Sequence, residues 1–212
     1  MTASTDTRFS EELRAASWAL HESAEGSHFM RDLMAGEVGR DIYATYIGQL
    51  HYVYSVLEEA AAAMKDEPTA TPFVRDELSR VPALEADLTF FLGDDWAAAV
   101  RPTEATLEYC ERLREACFSW HGGFVAHHYT RYLGDLSGGQ FIGKSVERAY
   151  GLEDHEGARF YLFDQIADPT EFKNEYRRQL DLAQWNEEEK QRIIDEVRLA
   201  YRLNTLLLAA LQ

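Results

Sequence analysis

The chain has 212 residues, of which 37 are acidic and 21 basic, giving a formal net charge of −16. That length allows one domain or at most two small ones, and 46% hydrophobic with 12% aromatic residues is ample material for a core, which excludes a disordered chain. The acidity excludes nucleic acid and anionic lipid as natural partners, since both reward clustered Lys and Arg. It is unevenly spread: residues 1–170 hold 29 acids against 14 bases, a net of −15, and residues 171–212 hold 8 against 7, a net of −1.

The opening run MTASTDTRFSEELR lacks the apolar segment of a secretory leader. A first helix is predicted over 9–24, where Phe9, Leu13, Ala16 and Leu20 recur at helical spacing. Ser10 ahead of Glu11 and Glu12 reads as its start and Gly26 as its stop. A short helix over 28–35 precedes a long one over 40–65, carrying Tyr43, Tyr46, Leu50, Val53, Tyr54 and Leu57. Pro68 and Pro72 close it, and further helical stretches are predicted over 73–92 and 104–121. Cys110 and Cys117 are two turns apart on the second of these, roughly 10 Å, beyond disulfide reach. They read as reduced core thiols, and the cytoplasm follows as the expected compartment. Residues 123–150 form a glycine-rich helix, 170–182 a further helix, and 187–211 a last one capped by Asn186. Leu206–Leu211 falls far short of the ~20 apolar residues that a spanning helix needs, so no membrane anchor is expected. No strand-length alternating run, internal repeat or linker interrupts the pattern. The expected fold is all-α, a single domain over 1–212.

The segment 127–150 reads HHYTRYLGDLSGGQFIGKSVERAY. Each of Gly134, Gly138, Gly139 and Gly143 costs up to ~1 kcal/mol against alanine inside a helix. Two arrangements account for that cost. Close packing against another element, or a break into two helices, is one. The other is a kinked helix laying bare backbone against a large flat ligand. Asp135 stands beside the bare strip, where it either caps a break or holds water over whatever the glycines admit. A phosphate loop is excluded, because GxxxxGK[ST] is absent and no strand precedes the glycines.

The seven histidines are individually weak signals. His21 sits on the first helix with Glu25 one turn on, an arrangement that either orients a ligand histidine or forms an exposed helix-end pair. Glu25 and His28 make one ExxH, half of a di-iron site, and no second occurs. His127 and His128 are adjacent and cannot share a helix face. HExxH, CxxC and GxSxG are all absent, which removes zinc and α/β-hydrolase readings.

YTRYLGDLSGGQ, Tyr129–Gln140, resembles the distal-helix signature of the haem (heme) oxygenases. LHESAEGSHFMRDL, Leu20–Leu33, is similar to that family's proximal-histidine segment. HYVYSVLEEA (His51–Ala60), EFKNEYRRQL (Glu171–Leu180) and Leu203–Asn204 match in order and spacing. The likeness spans nearly the whole chain and is strongest toward the bacterial members without a membrane tail. It implies an all-α fold with haem b, iron protoporphyrin IX, sandwiched between a proximal and a kinked distal helix. His21 would be the axial iron ligand, with Glu25 near its other ring nitrogen. Gly134, Gly138 and Gly139 would bring backbone over the porphyrin. Asp135 would organise a distal water network that includes Tyr54, Tyr109, Arg131 and Asn204. Tyr129, Lys173 and Arg177 would meet the haem propionates, with Arg14 a further basic position. Trp18 departs from the pattern, replacing a lysine of some animal members and altering one propionate contact.

The resemblance implies oxidation of haem, with O2 and electrons from a reductase or ferredoxin, to biliverdin, carbon monoxide and ferrous iron. The family usually opens the ring at the α-meso carbon, and the bacterial likeness points to iron acquisition by a monomer. A neutral histidine ligand supports O2 binding without the electron push of a thiolate. A glycine lid leaves room for oxygen to bend toward the porphyrin edge, and an aspartate-held water chain brings the proton. Lys173 and Arg177, four apart on a helix, present two cations on one side. The competing readings are a haem carrier without catalysis and a helical interaction module without a cofactor.

Overall fold

A computed structural model of the chain describes residues 7–211, the side chains of Ser23 and Glu25 excepted. Among these residues there is no β-strand. Ten α-helices follow in order: α1 (Phe9–Glu25), α2 (His28–Ala35), α3 (Arg40–Met64), α4 (Val81–Leu92), α5 (Trp96–Ala99), α6 (Glu104–Cys117), α7 (His121–His128), α8 (Gln140–Tyr150), α9 (Pro169–Leu182) and α10 (Glu187–Ala209). Short 3-10 turns occupy Thr71–Phe73, Asp76–Leu78 and Arg159–Tyr161.

Side-chain caps start four of these helices. Ser27 Oγ accepts from the Met30 amide at 3.3 Å, Thr103 Oγ1 from Thr106 at 3.2 Å, and Asp168 Oδ1 from Thr170 at 2.8 Å. Asn186 Oδ1 accepts from Glu189 at 2.8 Å, the cap expected of it. Ser10 does not cap α1, which begins one residue earlier, after Arg8. Its amide donates to Asp181 Oδ1 at 2.8 Å and its hydroxyl to Asp181 Oδ2 at 3.0 Å. A carboxylate from α9 thus serves the N-terminus of α1, so the two helices are joined where sequence shows only a local signal.

Helix α3 is the central post. Tyr43, Ile47, Leu50, Val53, Tyr54 and Leu57 are all fully buried. It packs against α4 and α6, while α1 lies along α10 and α7 fits between α6 and α10. These faces join in one continuous hydrophobic cluster. Cys110 and Cys117 are free and buried, and burial pushes the Cys110 thiol up to about 11. No helix of the described residues is long and apolar enough to cross a membrane.

Two predicted helices are shorter than expected. The stretch 73–92 begins with 3-10 turns, and α4 starts only at Val81, because Glu58 on α3 takes the amides of Arg80 and Val81 and the Ser79 hydroxyl. The stretch 104–121 ends at Cys117, and a new helix opens at His121. There the chain folds so tightly that a Cβ on Gly123 would stand 2.4 Å from the Trp120 ring and 2.8 Å from the Ala116 carbonyl.

From His121 to Tyr150 the chain stays helical, with no break at the glycines. Between α7 and α8 it widens into two π-helical stretches, Tyr129–Leu133 and Asp135–Gly139. Gly134 between them has φ −61° and ψ −52°, ordinary right-handed geometry. The hydroxyls of Thr130 and Ser137 donate to the carbonyls four residues back, Ala126 and Leu133, at 2.8 and 2.7 Å. Such bonds to the carbonyl four residues back compete with α-type pairing and accompany its interruption here.

Candidate active site

A cleft opens between α1, the π-helical segment and α10. His21 and Ala24 face it from α1, Met30 from α2 and Tyr46 from α3. Thr130, Arg131, Gly134, Asp135, Gly138 and Gly139 form the wall from the π segment. Ile142, Phe160, Tyr161, Tyr201, Asn204 and Leu208 complete it. The predicted histidine and the predicted glycine strip therefore line one space, although more than 100 residues separate them.

The glycines divide between the two arrangements that sequence left open. A Cβ on Gly134 would meet no atom within 4 Å, and on Gly139 only Tyr161 Cδ1 at 3.5 Å. Gly143 differs, since its Cβ would lie 2.9 Å from Tyr161 Cβ. Gly134 and Gly139 thus offer bare backbone to the cleft, which Gly138 also lines, and Gly143 exists for close packing.

His21 is half-buried and stacks nearly parallel on Trp18, ring centroids 5.6 Å apart at 7°. Tyr201 meets it edge-on at 6.0 Å. The Arg14 guanidinium lies 5.2 Å over the other member of the stack, Trp18. Arg14, Trp18 and His21 are one face of α1, spaced i, i+4, i+7. The side chain of Glu25 lies outside the described residues, so its expected place beside His21 carries no geometry.

Asp135 anchors a polar network behind the glycine strip. Its Oδ2 accepts from the Tyr54 hydroxyl, and that hydroxyl also accepts from Arg131 Nε at 3.2 Å. Arg131 Nη1 donates to Asn204 Oδ1 at 2.5 Å. Burial raises the Asp135 carboxyl above the usual carboxylate range, while Arg131, the Tyr54 hydrogen bond and Arg80 pull the other way. Burial also works against the Arg131 charge, but Tyr54 and Asp135 outweigh it, and its pKa ends above the ordinary value. Tyr54, Arg131, Asp135 and Asn204 are brought together as expected. Tyr109 is not joined to them directly: it is fully buried, and among the described residues its hydroxyl has no hydrogen-bond partner.

The basic positions sit beside the cleft rather than in its wall. Lys173 Nζ reaches the π segment, at 3.1 Å from Ser137 Oγ and 3.5 Å from the Leu136 carbonyl. Arg14 and Arg177 border a groove between α1 and α9. Both act on the buried Tyr129 hydroxyl, whose pKa burial raises and the two cations lower.

The other histidines have structural partners. His28 is exposed and meets Arg31 at 2.7 Å. His51 faces Glu85, His121 faces Glu67 and His155 faces Glu147. His127 contacts Glu196 on α10 at 2.8 Å, and His128 contacts Tyr176 on α9 at 3.0 Å, so the adjacent pair does point to different faces. Among the described residues, no cluster of His, Cys, Asp and Glu could hold a metal ion by itself.

Sequence reasoning missed the apolar half of the cleft: Met30, Tyr46, Ile142, Phe160, Tyr161 and Leu208. Each reads as a core residue in its own helix or loop, and no spacing marks it. It also missed Glu196, a buried carboxylate that burial would raise but that His127 and Arg112 hold down to about 2. Nothing local to Glu196 reveals partners 69 and 84 residues away.

The profile of the family described as "Heme oxygenase" matches residues 7–210 of this chain. The chain belongs to the haem oxygenase family. It is 38% identical to the "Heme oxygenase" of Porphyra purpurea over 91% of this chain and 82% of that one. It is 38% identical to "Heme oxygenase 1" of Bos taurus over 96% of this chain and 71% of that one. Heme oxygenase-1 of the cyanobacterium Synechocystis, solved in complex with heme, superposes with a TM-score of 0.92 at 35% identity, covering 97% of this chain and 93% of that one. Heme oxygenase from Leptospira interrogans gives 0.91 at 35% identity, covering 96% and 100%. A TenA homologue from P. horikoshii superposes at 0.74 with 12% identity, covering 97% and 98%, which shows the fold alone. The haem oxygenase assignment therefore rests on the sequence likeness, and the chemistry must be argued from the cleft.

Proposed function

We propose that this chain binds haem b, iron protoporphyrin IX, in the cleft and cleaves it, with O2 and supplied electrons, to biliverdin, carbon monoxide and ferrous iron. The observation that carries this reading is that one imidazole and a strip of bare glycine backbone line one space, with a half-buried carboxylate at its edge. The donor set suits the ligand. His21 supplies a nitrogen for the iron. Gly134 leaves room where any Cβ would project toward the ring. Lys173, Arg177 and Arg14 supply cations for two propionates, and Tyr129 a hydroxyl.

Haem is the substrate and also supplies the iron at which O2 is reduced. The protein's part is to orient, to exclude bulk water and to deliver protons. Ile142, Phe160 and the glycine strip give the cleft an apolar lining. Asp135 is the proton-handling group. Burial outweighs Arg131, Tyr54 and Arg80 and favours its protonated form, so it can hold a proton for a bridging water. Tyr54 fixes the carboxylate through Oδ2, and Asn204 fixes Arg131, so the network keeps its orientation between turnovers. Tyr109, buried against the network without a direct bond, joins it through water. The rotation of the haem in the cleft follows from the cations, and Trp18, stacked against His21, replaces one of the family's charged contacts with an aromatic surface.

The electrons come from a reductase or ferredoxin, the reaction takes place in the cytoplasm, and the released iron is its purpose. Haem with a chemical reductant in air, followed by absorbance, tests the reading. Green pigment and carbon monoxide support it. A haem spectrum that persists through many equivalents of reductant makes the chain a carrier, and a failed haem titration removes the cleft as a haem site.

A further inference from the structure

Two buried charges stand outside the proposed catalytic set. Arg80 precedes α4 and is 5% exposed, and Asp87, two turns on, is fully buried. Both spend hydrogen bonds on the same short piece of backbone. Asp87 Oδ1 accepts from the Arg159 amide at 2.9 Å and Oδ2 from the Phe160 amide at 2.8 Å. Arg80 Nη1 donates to the carbonyls of Phe160 at 3.2 Å and Leu162 at 2.6 Å. The guanidinium also stacks 3.9 Å over the Phe163 ring. A carboxylate thus holds the amides and a guanidinium the carbonyls of the 3-10 turn Arg159–Tyr161. Burial pushes the Asp87 carboxyl up to about 6, which still leaves it an anion at neutral pH.

That turn is part of the cleft. Phe160 and Tyr161 both line it. Phe160 meets the Tyr54 ring edge-on at 5.3 Å, and Tyr54 is the donor to Asp135. Tyr161 fills the space that Gly143 leaves and stands 3.5 Å from where a Cβ on Gly139 would be. A single 3-10 turn has little stability of its own, and the loop before it passes through the left-handed region at Asp154 and His155, φ 51° and 60°. Fixing a wall with two desolvated charges costs far more than fixing it with apolar packing. The expense is spent at the element that touches both the proton-handling network and the glycine strip.

We propose that Arg80 and Asp87 are positioning residues for haem cleavage: by clamping residues 159–162 from both sides they set Phe160 and Tyr161, and through these set Tyr54 and the edge of the ring that faces Asp135. This rests on the haem oxygenase reading of the cleft. It assigns neither residue contact with substrate.

The test uses Asp87→Asn, Arg80→Lys and Phe160→Leu in the full chain, with two readouts. One is amide hydrogen exchange at Arg159 and Phe160 in haem-free protein, and the other is the ratio of biliverdin isomers after turnover. Asp87→Asn replaces one acceptor by a donor and should speed exchange at those two amides about tenfold, with amides of α6 unchanged, and give mixed isomers. Arg80→Lys keeps the charge but loses the Nε bond to the Leu78 carbonyl and the planar stack over Phe163, and should also mix the isomers. It serves if Asp87→Asn does not fold. Phe160→Leu should mix the isomers while leaving both amides protected. Unchanged exchange in Asp87→Asn overturns the clamp. Faster exchange with an unaltered isomer ratio makes the clamp purely structural and overturns the positioning role. Wild-type protein that yields no biliverdin fails the reading of the cleft and the role with it, while amide protection, read without haem, still reports on the clamp.

Discussion

Gly134→Ala separates what the glycine costs the fold from what it gives the site. In the haem-free protein the added Cβ meets nothing within 4 Å, and Gly134 has right-handed helical angles, so alanine fits without strain. Replacing glycine in a helix interior then stabilises by about 1 kcal/mol, which for a chain of this size raises Tm by about 2–4 °C. With haem bound, the same methyl occupies the porphyrin face. Overpacking costs about 1–3 kcal/mol, a loss of roughly tenfold to a hundredfold in haem affinity. Gly143→Ala is the opposite control: its Cβ stands 2.9 Å from Tyr161 Cβ, so it should destabilise the haem-free protein by about 1–3 kcal/mol. The assays are thermal unfolding without haem and haem titration by absorbance. A Gly134→Ala protein that melts lower than wild type refutes the open space above the glycine. One that melts higher and binds haem as tightly refutes the glycine strip as the haem face.

The remaining expectations follow from the same geometry. His21→Ala should lose the spectrum of histidine-ligated haem; an unchanged spectrum moves the ligand elsewhere, although His28, already engaged with Arg31, does not face the cleft. Asp135→Ala should keep haem and lose about a hundredfold or more in biliverdin formation, and normal turnover would remove its proton-handling role. Lys173→Ala and Arg177→Ala, partly exposed cations, should each weaken haem binding only a few-fold but alter the isomer ratio; loss of all haem binding from either would show that it does more than anchor a propionate. Burial lowers the His128 pKa to about 3, so as pH falls below the unfolded value of about 6.5 the unfolded chain takes up a proton that the folded chain refuses. Stability should therefore fall between about pH 6.5 and 3, by at most about 5 kcal/mol from this group. His128→Phe should flatten the acid limb of the unfolding curve, and an identical limb would show that other groups set it.

The long helices were legible because their apolar positions repeat, as in α3 and α10. The failures had long-range causes. Residues 73–80 keep a helical rhythm, but Glu58, 22 residues away from Arg80, takes the first amides and resets the start of α4. The turn after Cys117 left one local sign, the pair Gly122–Gly123, which tight packing against Trp120 explains. Within the site, the motif residues were readable as types, and their convergence on one cleft was legible only through the family resemblance. The π-helical form of the glycine segment has no signature, since four glycines fit a break, a packing face or a lid equally well. Arg80 and Asp87 were invisible because each reads as an ordinary charge, one just before α4 and one within it, and only backbone 72 and more residues away gives them a purpose.

The two π-helical stretches make the cleft a matter of phase as well as identity. A π turn carries an extra residue relative to the α-helix around it, and one residue turns a helix by about 100°. Removing a single residue from one stretch would let one of the two π turns relax to α, and the residues between the deletion and that turn would rotate by that angle. A deletion in the second stretch relieved in the first would turn Gly134, which stands between them, away from the cleft. The segment should therefore absorb many substitutions before it absorbs one deletion.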